Sequence, residues 1–204
     1  MTFNLTKDAW SKGCHIAALG IRVVPDATKF YQAGKCYLFK TVENGQDRLQ
    51  VVLSSSDSLR IRILVPLKPH ATAVVKDEYQ GQDLYEYAVV TKKRDSTQHV
   101  WHFLQQQNNN PQTQTPARLV TSKFFQQGRK HRILHAWNNR HDIWGAIYDD
   151  ASWRVQTAQG VDPILVATLA VCTDRFAAYV DNQHLRRTAL LDAKTSVGGR
   201  KDIF

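Results

Sequence analysis

In the stretch LRIRILV, residues 59 to 65, Arg60 and Arg62 stand two positions apart with branched aliphatics between them. A guanidinium is a rigid fork of N–H donors that matches phosphate oxygens two at a time, so two on one surface are phosphate-binding chemistry. Lys92, Lys93 and Arg94 form a second cluster. There, each cation near anionic lipid is worth about 1 kcal/mol. The third cluster is GRKHRILHAWNNRH, residues 128 to 141, where Arg129, Lys130, Arg132 and Arg140 keep company with His131, His135 and Trp137. An aromatic beside cations also stacks a nucleobase, so lipid and nucleic acid are both open at that segment. The competing reading of every cluster is a solvated basic face or turn.

The histidines do not assemble into a metal site. His131 and His135 share a strand face, but four residues along a strand span about 13 Å, too far for two ligands of one ion. His99 and His102 fall on opposite faces. The chain has no glycine-flanked serine, phosphate loop or spaced Cys/His pattern, so no catalytic residue, metal or cofactor is predicted and the expectation is a non-enzymatic protein. Cys14, Cys36 and Cys172 are few, odd in number and far apart, which argues for reduced thiols over a disulfide framework.

Charge points the same way as the arginines. Lys and Arg number 27 against 18 Asp and Glu, a net charge of +9, and no acidic residue occurs from Ser96 to His141. Anionic partners are favoured: a phospholipid or phosphoinositide headgroup, with nucleic acid as the alternative through the acid-free segment 96–141. A protein-interaction domain with incidental charge is the third reading, its partners unspecified. The opening residues MTFNLTKDAW lack a basic-then-apolar leader, so the expected location is intracellular and cytoplasmic, or peripheral at a membrane.

The elements that must carry these cations read mainly as strands. KCYLFKTVENGQDRLQVVL holds two β-prone runs joined at Asn44-Gly45, a dipeptide suited to the positive φ angles of a tight hairpin. In LRIRILV the alternation buries Leu59, Ile61 and Ile63 and sends Arg60 and Arg62 to the opposite face. Further β-prone runs cover 71–76, 84–93, 99–105, 117–125, 131–137, 143–148 and 152–158, at the spacing of antiparallel meanders. The segment QQQNNNPQTQTP, residues 105–116, has little to bury and reads as a mobile loop, and the tail from about residue 192 as weakly ordered. A single domain, 1–204, is expected.

One segment breaks the pattern. From Ile164 to Thr173 the residues are apolar or small almost without interruption. Ten residues make a helix of only about 15 Å, too short for a bilayer, and extension to Val180 would place Asp174 and Arg175 inside it. Asp162 is suited to cap the first free N–H groups and Pro163 to the first helical position. Around the wheel Ile164, Leu165, Val166, Leu169 and Val171 point in all directions, so this helix requires protein on every side. The arrangement that satisfies both parts is a closed antiparallel β-barrel of about 10–12 strands around a central hydrophobic C-terminal helix. A β-sandwich with the helix across one end would leave one helix face wet.

That architecture, with the stretch VQTAQGVDPILVATLAVCTDRF and its Gly160-Val161-Asp162 approach, apolar run and Asp174 exit, resembles the tubby C-terminal-like superfamily and within it the LURP-one-related group. VWHFLQQQ and ARLVTSKFF are similar to that group's aromatic-rich and basic strands. The resemblance is strongest over residues 152–176 and absent after His184. It implies binding rather than catalysis, with phosphoinositides recognised by basic residues on the barrel exterior. The cysteine cluster and acidic calcium-binding segment of scramblases are missing. No lipid-contact residue carries over, so Arg60, Arg62, Lys92, Lys93, Arg94, Arg129, Lys130 and Arg132 are the candidates on their own chemistry.

Overall fold

A computed structural model describes residues 1–26, 34–57, 59–69, 73–92, 99–103, 118–125, 132–138, 143–149 and 151–177. The chain is mainly β. Strand β1 (Thr2–Leu5) leads into a single-turn helix α1 (Ala9–Lys12), followed by β2 (Cys14–Ile16), β3 (Ile21–Pro25), β4 (Gly34–Thr41), β5 (Asp47–Asp57) and β6 (Arg60–Val65). Strands β7 (Val75–Tyr79), β8 (Gln82–Lys92), β9 (His99–Phe103), β10 (Arg118–Phe125), β11 (Arg132–Asn138), β12 (Ile143–Asp149) and β13 (Trp153–Thr157) follow, and then helix α2 over 163–177. The β-prone runs from 84 to 158 coincide with β8 to β13, and the run at 71–76 lies a few residues later as β7. The short elements β1, β2, β3 and α1 are not legible in the local pattern.

All the ladders are antiparallel, in the order β1-β13-β12-β11-β10-β9-β8-β6-β5-β4-β3-β2, with β7 paired to β8 off this path. The meander holds, but the expected closure does not. Strands β1 and β2 occupy the two ends of the order and no ladder joins them, so hydrogen bonding does not close the sheet into a barrel. The physical reason lies in the connection between them. Helix α1 interrupts the chain there, packs against β3, and buries Ala9 and Trp10 at the seam.

The hairpins also differ in kind from the expectation. Between β4 and β5, the Gly45 N–H donates to the Val42 carbonyl at 2.9 Å and the Val42 N–H to the Gln46 carbonyl at 2.9 Å. Gly45 has φ 77°, whereas Asn44 is not among the positive-φ residues, so this is a type I turn finished by a glycine bulge. The two-residue primed turn is Gln80-Gly81, φ 50° and 78°, joining β7 to β8 with Tyr79 opposite Gln82.

Helix α2 starts where the sequence places it: the Ile164 N–H donates to the Asp162 carboxylate at 2.9 Å, with Pro163 as the first helical residue. Ile164 and Leu165 are half-buried, and every residue from Val166 to Phe176 is buried, Leu169 and Val171 included. The inner face of the sheet meets it with Leu5, Ile21, Leu38, Ile61, Ile63 and Val155, in one core. At β12 a glycine admits the helix. A Cβ on Gly145 would lie 3.0 Å from Val166 Cγ1 and 2.8 Å from the Gln156 carbonyl oxygen.

Asp174 is not the helix exit. The helix runs on through it, and its carboxylate, 4% exposed, accepts from the Asp8 N–H (2.9 Å), the Trp10 N–H (3.3 Å) and Trp153 Nε1–H (2.8 Å). Arg175 lies over the Trp10 ring at 5.6 Å and Lys7 over Trp153 at the same distance. The helix thus binds the α1 segment and β13 at once, bridging the side of the sheet that no ladder closes. Burial raises the Asp174 carboxyl above its ordinary pKa, against the lowering effect of the three N–H donors.

Two outcomes follow for stability. Gly145→Ala should cost roughly 1–3 kcal/mol through overpacking, since backbone and helix both block the added methyl. Equal melting temperatures for Gly145→Ala and wild type would contradict the close helix approach. Asp174→Asn sets an amide donor against an N–H and should cost roughly 1–3 kcal/mol. Because the folded pKa is raised, the stability this carboxyl contributes is complete below its ordinary pKa and falls as pH rises through the raised value. Urea titrations should therefore show the wild-type advantage over Asp174→Asn shrinking across that window, and a difference constant with pH would refute abnormal titration.

Candidate functional site

Of the four register shifts on β4 to β8, one lies between Ser55 and Asp57 where β5 meets β6, and the other three bear on which side chains face outward. Between β4 and β5, Leu38 pairs with Val51 but Phe39 with Leu49, so Gln50 is the extra residue. Between β6 and β8, Ile63 pairs with Ala88 but Leu64 with Glu86, leaving Tyr87 extra. The third separates Val75 from Asp77 on β7. A bulge reverses face parity beyond it. Glu86 and Leu84, which simple alternation would align with inward Ala88 and Val90, come to the outer face, as does Leu49. There Leu49, Val52, Leu64 and Leu84 form a second apolar cluster against Tyr37, Phe39 and Tyr79.

The β7–β8 hairpin lies across this outer face. Tyr79 of β7 packs on Tyr37 and Phe39 of β4, ring centroids 4.8 and 6.0 Å away, and Asp77 of β7 pairs with Lys35 of β4 at 2.5 Å. Burial pushes the Tyr37 phenol up to about 12, with the nearby Asp26 and Tyr79 adding to it. For Asp77 burial pulls upward, but the hydrogen bonds from Lys35 and the Glu78 N–H, with the fields of Lys35 and Arg62, leave it below the ordinary carboxylate range.

Arg62 projects to the outer face as the alternation predicts, half-buried, with Nε 2.6 Å from Glu86 Oε2. Arg60 is exposed at the start of β6, opposite Thr91. The ladders carry Arg62 into a cross-strand row: Lys35 opposite Ser54, Ser54 opposite Arg62, Arg62 opposite Val89, Val89 opposite exposed His102, and His102 opposite Arg118. Lys35, His102 and Arg118 were not among the sequence candidates. They come from positions 35 to 118, and only strand register brings them into line.

The other clusters fare differently. Lys92 is buried, 9% exposed, at the inward end of the alternation Ala88, Val90, Lys92, so its side chain is not displayed at a turn. Lys93, Arg94, Arg129 and Lys130 lie outside the described residues, as do the loop 105–116 and the tail. Arg132 opens β11 opposite Phe125, so the structure does not bring it beside Arg60 and Arg62 in register. Among the described residues no group of three His, Cys, Asp or Glu side chains is placed to hold a metal, and no helix is long and apolar enough to cross a membrane. No family model, curated protein or solved structure matches this chain.

The Lys35–Asp77 pair gives the hairpin a pH dependence. Asp77 has a depressed folded pKa, so the stability it contributes is present above the ordinary carboxylate pKa and lost as pH falls through the folded one. Hydrogen-exchange protection of the β7 amides, corrected for intrinsic rates, should drop across that range in wild type. In Asp77→Asn it should be lower already at neutral pH, and equal protection in both proteins would sever the hairpin from this pair.

Proposed function

We propose that the protein is a non-enzymatic binding module that recognises anionic phospholipid headgroups, of phosphoinositide type, through cations on the outer face of its sheet. The observation that carries this reading is the cross-strand row that holds the cations Lys35 and Arg62 together with the imidazole of His102, with Arg60 exposed two residues along the same strand as Arg62. Ser54 separates Lys35 from Arg62 and Val89 separates Arg62 from His102, so at about 5 Å per strand these groups stand about 10 Å apart, which suits separate phosphates of one polyphosphorylated headgroup or of neighbouring lipids. Glu86 and Asp77 pair with Arg62 and Lys35 on that face, and a headgroup phosphate would compete with those carboxylates for them. The resemblance of the α2 segment to the tubby C-terminal-like superfamily supports the same reading, with the sheet as a barrel-like sleeve and attachment at the cytoplasmic face of a membrane.

Nucleic acid is the second reading, favoured by one observation: the acid-free segment contains β9, β10 and β11, which are neighbours in the sheet.

Vesicle flotation tests the proposal. Arg62→Glu would set two carboxylates against each other beside Glu86, so the informative variants are Arg60→Glu and the neutral pair Arg62→Gln with Glu86→Gln. At about 1 kcal/mol per unit charge, Arg60→Glu, which changes the charge by two, should lower affinity for anionic vesicles about tenfold or more, and the neutral pair, which removes one guanidinium contact, at most about fivefold, both at unchanged melting temperature. Arg60→Lys with Arg62→Lys should keep the general attraction to phosphatidylserine and lose discrimination among phosphoinositides. Wild-type affinity in both charge variants would reject the site. Retardation of oligonucleotides with a steep salt dependence, without vesicle binding, would replace lipid by nucleic acid.

A further inference from the structure

A concavity of about 330 Å³ opens between the β4–β5 turn and the β7–β8 turn. Its size is at the lower end of the roughly 300–1,000 Å³ typical of small-ligand sites. The floor is aromatic: Phe39 and Tyr79, with ring centroids 6.0 Å apart and planes inclined at 58°. The rim is polar, formed by Gln46, Arg48, Gln80 and Gln82.

The polar groups differ in what they have left to offer. Asp47 also lines the opening, but its carboxylate already pairs with Arg22 and accepts from Thr41 Oγ1 at 2.9 Å, so its charge is compensated. Gln46 Oε1 accepts from Asn44 Nδ2 at 3.2 Å, leaving the Gln46 amide N–H groups for another partner. Arg48, Gln80 and Gln82 are exposed, and their side chains make no hydrogen bond or ion pair among the described residues. The site therefore offers one uncompensated guanidinium, several carboxamide donors and acceptors, and an apolar floor.

We infer that this pocket binds a phosphorylated monosaccharide. Carboxamides both donate and accept, as do sugar hydroxyls, and those here are spread over two turns around the ring the ligand would occupy. A guanidinium facing the opening matches a phosphate. The aromatic floor receives the C–H face of a sugar ring. Because the two floor rings are steeply inclined, they form no parallel-walled slot for a planar base, which disfavours a nucleotide. The pocket shares β4, β5 and β8 with the cationic row but uses none of its cations, and the inference goes beyond the lipid reading and does not need it.

Calorimetric titration and saturation-transfer NMR on the full chain test it with glucose 6-phosphate, glucose, inorganic phosphate and adenosine monophosphate as probes. Wild type should bind glucose 6-phosphate about tenfold or more tightly than glucose or phosphate alone, the worth of one charge-assisted contact. Arg48→Gln should erase the advantage over glucose, and Gln82→Ala should weaken both sugars, with melting temperatures unchanged at these exposed positions. Four results would overturn the inference: no binding by wild type, phosphate bound as tightly as the sugar phosphate, adenosine monophosphate preferred, or wild-type titrations from both variants. Vesicle binding is measured separately, so either reading can fail alone.

Discussion

The Asp174 carboxylate, buried inside helix α2, is the contact on which the architecture turns. A sheet that curves around a helix without closing leaves two edges, and here the edges are β1 and β2. What ties the open side to the helix is three N–H groups converging on one of its side chains: two from the backbone of the α1 segment that connects β1 to β2, and one from the indole of Trp153 on β13, the strand paired with β1. Unmade, each of those bonds would leave a polar group in an apolar interior at a cost of about 1–3 kcal/mol. The desolvation of the carboxylate is what the protein tolerates in exchange, visible as a pKa raised by burial. Asp8 takes a left-handed backbone, φ 64°, beside that carboxylate, the sort of conformation a non-glycine residue keeps when its surroundings over-determine it.

With the inner face committed to the helix, function falls to the outer face, and that face is shaped by bulges. Two of them turn Leu49, Leu84 and Glu86 outward against the simple alternation of their strands. The apolar pair lets the β7–β8 hairpin lie on the sheet through a second small core. The carboxylate gives Arg62 a partner. Both candidate sites depend on this arrangement: the cationic row runs beside the hairpin, and the aromatic-floored pocket lies where the hairpin turn meets the β4–β5 turn.

The electrostatics of the outer face are more restrained than a net charge of +9 suggests. Arg22, Lys35 and Arg62 each have a carboxylate partner, while Arg48 and Arg60 are exposed. Partnered cations are held in position at small net stabilisation, since such pairs contribute about 0–1 kcal/mol near the surface. An arriving anion therefore meets paired donors alongside exposed cations such as Arg48 and Arg60.

The sequence by itself determined the features that local chemistry dictates. Asp162-Pro163 and the apolar run specify a capped helix buried on every side, because no arrangement of those residues leaves a wet face. The alternation in LRIRILV specifies which side Arg60 and Arg62 take, and the turn residues around Gly45 specify where a hairpin falls. Tertiary structure alone decided the rest. Register, set by how neighbouring strands pair, aligned Lys35, Arg62 and His102 from distant positions, and bulges reversed the face of Glu86 where period-two counting would have sent it inward. Lys92 is buried because it prolongs the inward alternation of β8, although its neighbours in sequence are charged. Asp174 reads locally as the end of an apolar run, and only the chain segment returning from residues 8 to 10 makes its burial favourable, since its partners are backbone N–H groups that no side-chain pattern announces.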